Sequence, residues 1–179
     1  MFVTGGFQSG KASYSTAALY SLSTGQFTLE TGPCNCRGFN GALLQTGEVL
    51  VAGGAITVPG NPYPTSETIN SAELWDPSTQ TWTSTGNLKD SRSGESVTVL
   101  LNGEALVAGG AGKYRSILSS AMLYDPSTNY WTLTGSLHQF RRNHTLTVLP
   151  NGRALAAGGV SKNSSGATIV IASAEFYTP

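Results

Sequence analysis

Val51-Ala52-Gly53-Gly54, Val107-Ala108-Gly109-Gly110 and Ala156-Ala157-Gly158-Gly159 are three versions of one short phrase, an apolar run ending in a glycine doublet, and Val3-Thr4-Gly5-Gly6 is a fourth. The doublets stand 48 positions apart from Gly5 to Gly53, 56 from Gly53 to Gly109 and 49 from Gly109 to Gly158. A supersecondary unit has therefore been copied along the whole chain, and a repeat fixes architecture before it says anything about chemistry.

The rest of the unit keeps step with the doublets. After the second, third and fourth come Ala72-Glu73-Leu74-Trp75-Asp76-Pro77-Ser78-Thr79, Ala121-Met122-Leu123-Tyr124-Asp125-Pro126-Ser127-Thr128 and Ala174-Glu175-Phe176-Tyr177-Thr178-Pro179. The first copy is looser, with Ala17-Ala18-Leu19-Tyr20-Ser21, and ends on Phe27 where the central copies place Trp82 and Trp131. A turn glycine precedes each later doublet at a fixed distance: Gly47 before Gly53, Gly103 before Gly109, Gly152 before Gly158.

Each piece has a strand-and-turn reading. Val97-Thr98-Val99-Leu100-Leu101 and Leu146-Thr147-Val148-Leu149 are β-branched apolar runs followed by Asn102-Gly103 and Asn151-Gly152, which predicts tight hairpins. The segments before the doublets, such as Ala105-Leu106-Val107-Ala108, are apolar without alternation, as in strands covered on both faces. Asp-Pro-Ser-Thr presets a turn, because the Asp carboxylate can accept from its own backbone two residues on and Pro fixes φ. The unit is thus strand a, hairpin, strand b, loop, strand c, turn, strand d, and helix is expected to be almost absent.

These residues resemble the kelch repeats, marked by Gly-Gly after the second strand, an aromatic in the third and Trp in the fourth. The resemblance spans essentially the whole chain, and Gly5, Gly6, Gly53, Gly54, Gly109, Gly110, Gly158, Gly159, Trp82 and Trp131 carry it. It implies an all-β β-propeller of four-stranded antiparallel blades. The implied division is a partial blade at 1–31, blades at 38–84 and 92–133, and a partial blade at 142–179. That makes about three and a half blades against the four to eight of closed propellers. The expectation is an incomplete propeller, a segment of a longer one; a strained four-bladed ring or an oligomer that closes the circle are the other arrangements.

Composition excludes several functions. Ten basic and ten acidic residues cancel, so no global field draws nucleic acid or an anionic membrane. Charged residues make up only 11% of the chain while glycine reaches 22 residues, as many turns require. No run has transmembrane length and no signal peptide is visible. The low lysine count and Ser/Thr/Gly richness resemble bacterial secreted kelch proteins, which implies an extracellular or cell-envelope location.

Topology places the expected site. In an antiparallel meander the a–b and c–d turns share one face, and the b–c and d–a connections share the other. The first set is uniform, whereas the b–c loops differ in length, and variable loops on a rigid repeat are how such scaffolds acquire a binding surface. The candidate ligand-binding residues are Tyr63, Lys113, Tyr114 and Arg115 from b–c loops and Arg92, His138, Arg141 and Arg142 from d–a loops, with Asn61, Glu67 and Lys89 nearby. Lys113, Tyr114 and Arg115 beside Arg141 and Arg142 point to an anionic or sugar-like ligand; solvated loop residues are the plain alternative.

No catalytic residue, metal site or cofactor is assigned. Some kelch propellers look like the body of galactose oxidase, whose copper needs several converging imidazole and phenolate ligands. This chain has only His138 and His144, and His144 occupies the repeat position of Glu95 and Phe39. Cys34 and Cys36 have no second ligand pair near in sequence and are too close for an unstrained disulfide. Gly109-Gly110-Ala111-Gly112-Lys113 runs into Tyr114, so the hydroxyl of a phosphate-binding loop is missing. Two functions stay open: a non-catalytic module that recognises a protein or carbohydrate through its variable loop face, and the structural part of a galactose oxidase-like or other carbohydrate-active enzyme whose reactive groups lie outside this chain.

Overall fold

A computed structural model describes residues 2–4, 16–32, 36–37, 40–58 and 65–179. Gly5, Gly6, Cys34, Phe39, Asn61 and Tyr63 lie outside these. The protein is all-β, built from several small antiparallel sheets, none of them closed. Among the described residues no helix is long and apolar enough to cross a membrane.

Along the chain, β1 (Phe2–Thr4), β2 (Thr16–Ser21) and β3 (Gln26–Thr31) form a first sheet. The second contains β4 (Cys36–Arg37), β5 (Asn40–Leu43), β6 (Val49–Ala52), β7 (Ala55–Val58), β8 (Thr65–Asp76) and β9 (Thr81–Arg92). The third is a four-stranded meander of β10 (Ser96–Val99), β11 (Ala105–Ala108), β12 (Ala121–Asp125) and β13 (Tyr130–Thr134). The fourth has β14 (Thr145–Val148), β15 (Ala154–Ala157) and β18 (Ala174–Tyr177), with β16 (Val160–Lys162) and β17 (Thr168–Val170) forming a separate hairpin between them.

Equivalent residues pair in equivalent ways. Val51 faces Glu73, Val107 faces Met122 and Ala156 faces Glu175, so each doublet follows a strand held in one register. Trp75 faces Trp82 as Tyr124 faces Trp131, whose rings lie 5.1 Å apart. The Asp turns form as their residue types dictate: Asp76 Oδ1 accepts from the Ser78 N–H at 2.7 Å, and Asp125 Oδ1 from the Ser127 N–H at 2.8 Å. The Asn-Gly hairpins are looser than a two-residue turn. The Gly103 N–H reaches Leu100 O at 3.0 Å and the Leu100 N–H reaches Glu104 O at 2.8 Å, a three-residue loop in which Gly103 takes the positive φ.

The core lies between sheets. Ala105 and Tyr124 of the third sheet pack with Leu50 and Leu74 of the second and with Leu44 just after β5, and Val107 and Met122 pack with Ala52, Ala72 and Leu88. Leu106, Ala108 and Ala121 turn the other way, to Ala154 and to Leu146 and Tyr177 of the fourth sheet. Successive residues of β11 thus enter opposite interfaces, which is why the strand reads as an unbroken apolar run and is buried throughout. Each large side chain sealed in this way contributes roughly 1.5–3 kcal/mol. Two hydrogen bonds reinforce the stack: Trp131 Nε1 donates to Thr85 Oγ1 of β9 at 3.2 Å, and Thr134 Oγ1 meets the Tyr177 hydroxyl at 2.8 Å.

Candidate functional site

Two of the expected loop cations belong to the framework. Arg92 ends β9 and Arg141 precedes β14, and their side chains are only 0% and 1% exposed. Arg92 Nη1 donates to Gly109 O at 3.1 Å and Ser120 O at 3.0 Å, and its Nη2 donates to Ser120 Oγ at 3.1 Å. Arg141 repeats the pattern one copy later, with Nη1 donating to Gly158 O at 2.8 Å and Ser173 O at 3.1 Å and Nη2 to Ser173 Oγ at 3.2 Å. The same Nη2 donates to Glu175 Oε1 at 2.8 Å. The planar fork suits this work because it can satisfy several carbonyls at the end of one strand and the start of the next.

The arginine backbones face the other way. The Gly54 N–H donates to Arg92 O at 2.7 Å and the Gly110 N–H to Arg141 O at 2.9 Å. Each arginine thus holds the doublet of one copy with its carbonyl and the doublet of the next with its guanidinium. The sequence placed Arg92 and Arg141 on a ligand-facing loop; burial corrects that placement, because every oriented donor is turned inward. Burial pulls the Arg92 pKa below its ordinary value, opposed by Asp90 and then Glu95.

A second repeated device lies at the entrance of the first strand of each unit. The Asn40 amide donates to Glu95 O, and Ser96 Oγ donates to His144 O at 2.5 Å. Glu95 and His144 are themselves buried. Among the described residues Glu95 Oε2 and both His144 ring nitrogens have no hydrogen-bond partner. Burial pushes the Glu95 carboxyl up to about 7, against its hydrogen bonds and Arg92. Burial, helped by Arg141 and opposed by Glu175, brings His144 down to about 4. His144 is a neutral framework residue at neutral pH.

Three of the remaining candidates, Lys113, Tyr114 and Arg115, share one turn. Lys113–Arg115 forms a single 3-10 turn after the third doublet, closed by Gly112 N–H to Ser116 O at 3.0 Å and by the Ser116 N–H and hydroxyl on Lys113 O at 3.1 and 2.8 Å. Its base is tied down by the paired Ser93 and Ala111 and by Leu118 N–H to Gly110 O. At its tip Tyr114 adopts φ 55 and ψ 33, a left-handed conformation costly for a bulky residue, and is 99% exposed.

Clefts flank Tyr114. One, of about 590 Å³, runs between the turn and the β7–β8 hairpin, past Thr65, Ser66, Glu67, Thr68 and Ser93. The other, of about 530 Å³, is bounded by Asn70, Lys89, Asp90, Ser91 and Leu118. Gly112, Lys113 and Tyr114 line both. Arg142 lies beyond, in a groove of about 450 Å³ with Ser116, Ile117, Lys162 and Thr168 between the turn and the β16–β17 hairpin.

The structure therefore brings together Lys113 and Tyr114, with Lys89 and Glu67, and sets Arg142 in the neighbouring groove. Arg115 closes the turn. His138 stands apart beside another cleft, its Nδ1 3.1 Å from Glu175 Oε2 and its backbone N–H donating to the same oxygen. Asn70, Asp90, Ser91 and Thr68 were not singled out from sequence, because Ser, Thr and Asn between repeats read as ordinary loop residues. Among the described residues no group of three or more His, Cys, Asp or Glu is placed to hold a metal ion. Comparison with family models finds no match, and comparison with curated proteins finds none.

Proposed function

We propose that the chain is a run of kelch-type propeller blades that serves as a non-catalytic recognition module outside the cell or in its envelope. The binding surface in this reading is the face bearing the β7–β8 hairpin, the Tyr114 turn and the β16–β17 hairpin. The propeller reading is supported by stacked antiparallel sheets of equivalent register, joined in series by Arg92 and Arg141.

One observation carries the functional part: the two sets of connections behave differently. The Asp76 and Asp125 turns, and the Gly103 and Gly152 turns, repeat the same hydrogen bonds from copy to copy. The segments after the doublets are instead a hairpin, a 3-10 turn and another hairpin. Divergence confined to one set of loops on a repeated framework is the signature of a surface shaped for a ligand.

The test is a binding scan that compares loop sets. The wild-type chain is screened against glycan and peptide panels, and hits are re-measured with Lys113→Ala, Tyr114→Ala and Lys162→Ala against Asn102→Ala and Asn151→Ala. Loss confined to the first group is expected. Binding that survives the first group and fails with the second would overturn the assignment.

A further inference from the structure

Resting on that reading of the face, we infer that its ligand is a neutral oligosaccharide that crosses the Tyr114 turn, one sugar unit stacking on the phenol ring and its neighbours lying in the two flanking clefts.

Three observations lead there. The first is the display of Tyr114: a large aromatic ring, 99% exposed, held by a hydrogen-bonded turn in a backbone conformation that opposes it. A strained, over-determined residue is characteristic of a contact site. A phenol ring offers an apolar face with a polar tip, which matches the C–H face of a pyranose with its hydroxyl rim.

The second is the charge balance. Among the described residues, once Arg92 and Arg141 are turned into the framework, the cations that line the two clefts are Lys113 and Lys89, and they stand with Glu67 and with Asp90, which also accepts from Ser120 Oγ at 2.9 Å and lies 3.7 Å from Arg92. A polyanion would meet the Glu67 carboxylate as well as the two ammonium groups. A neutral polyol, whose hydroxyls both donate and accept, can use both kinds.

The third is the lining. Thr65, Ser66, Thr68 and Ser93 make one cleft rich in hydroxyl-bearing residues, which suits a polyol. Protein interfaces are built differently, with apolar and aromatic centres and few Ser, Lys, Glu or Asp residues. Volumes of about 590 and 530 Å³ on either side of one ring fall within the range for small-ligand sites and favour an extended ligand over a single sugar.

The probes are neutral cello-, malto-, xylo-, galacto- and chito-oligosaccharides of two to six units, measured by calorimetry and by NMR of the Tyr114 ring. Polygalacturonate, heparin and a random peptide library form the comparison arms. Binding to one neutral series is expected, insensitive to salt and tighter for longer members, with perturbation of the Tyr114 ring signals. Tyr114→Ala should weaken it by about tenfold or more while Tyr114→Trp and Tyr114→Phe retain it. Preference for the polyanions, or neutral binding indifferent to Tyr114→Ala with the ring signals unmoved, overturns the inference. A peptide bound at this face and lost with Lys113→Ala overturns the glycan but leaves the recognition face standing; no ligand dependent on the face overturns both.

Discussion

Gly109 and Gly158 open equivalent doublets with nearly the same backbone, φ +65 and +66, yet their surroundings differ. A methyl on Gly109 would run into the Arg141 carbonyl and meet His144 Cε1 at 3.0 Å, whereas on Gly158 its nearest neighbour would be Ile171 O at 3.7 Å. One demand, for a left-handed conformation, is common to both; the other, for absence of a side chain, falls on Gly109, where the next copy's arginine and strand entrance dock. The doublet is therefore a turn and a socket together, and the two roles can be measured separately.

The sharpest way to break this comparison is to add the same methyl to both. Gly109→Ala is expected to cost about 3 kcal/mol or more, since backbone must move to admit it. Gly158→Ala should cost only the conformational part, about 1 kcal/mol. Urea unfolding of both proteins measures the difference, and equal losses would dispose of the socket.

The arginines that fill the sockets come next. Arg92→Met should lose roughly 2 kcal/mol by taking the guanidinium donor from Gly109 O and leaving Ser120 O with the Gly109 N–H alone. Arg92→Lys should recover little of this, because a single ammonium on a flexible stem cannot reproduce the fork. Arg141→Met breaks the closer ion pair, 2.8 Å to Glu175 against 3.7 Å from Arg92 to Asp90, and should cost at least as much. Full rescue by lysine would show that charge rather than geometry holds the units together.

The buried titrating pair gives a third test, read from pH. Glu95 has its pKa raised from 4.5 to about 7, so its contribution is complete below pH 4.5 and is lost as pH rises through 7, roughly 3 kcal/mol at most. His144 has its pKa lowered from 6.5 to about 4, so its contribution is complete above 6.5 and is lost as pH falls through 4. Between pH 4.5 and 6.5 the two slopes oppose each other, and the wild-type stability should be nearly flat there before declining toward pH 8. Glu95→Gln should instead gain stability up to about pH 6.5 and exceed the wild type at pH 8 in thermal melts. A parallel pair of curves would place the proton elsewhere.

The smallest effects belong to the Asp turns on the opposite face. Hydrogen bonds from the Ser78 and Ser127 hydroxyls, and then from their N–H groups, hold Asp76 and Asp125 below the usual carboxylate range. Asp76→Ala and Asp125→Ala should lower Tm slightly and equally, and the deficit should shrink as acid protonates the wild-type carboxylates. Unequal losses would mean that the two turns are less alike than their hydrogen bonds.

The sheets were legible because strand, turn and doublet are local: Asn102-Gly103, Asp125-Pro126 and the unbroken Ala105–Ala108 run each state their geometry within a few residues. Tyr114 and Lys113 were legible as loop residues for the same reason. Arg92 and Arg141 were not, because an arginine in a Ser- and Gly-containing connection looks solvated, and its partners lie 17 and 28 or 32 positions away. A signal was present all the same. Each arginine stands the same 17 residues before a doublet, and a serine, Ser120 or Ser173, precedes each third-strand alanine. Second-sheet strands also run further than the pattern indicates, since β9 continues to Arg92 and carries the end of one unit into the interface with the next.

That overrun of β9 puts the molecule's genetic period out of phase with its mechanical one. A sequence copy starts and stops in the connection after the fourth strand, but the hydrogen bonds of Arg92 and Arg141 cross that cut, so the segment that was duplicated is not the segment that comes apart. Deleting one copy at its sequence boundary would remove half of two clamps rather than one whole unit. Local melting should spread in steps from arginine to arginine, each copy held as firmly as its successor is folded.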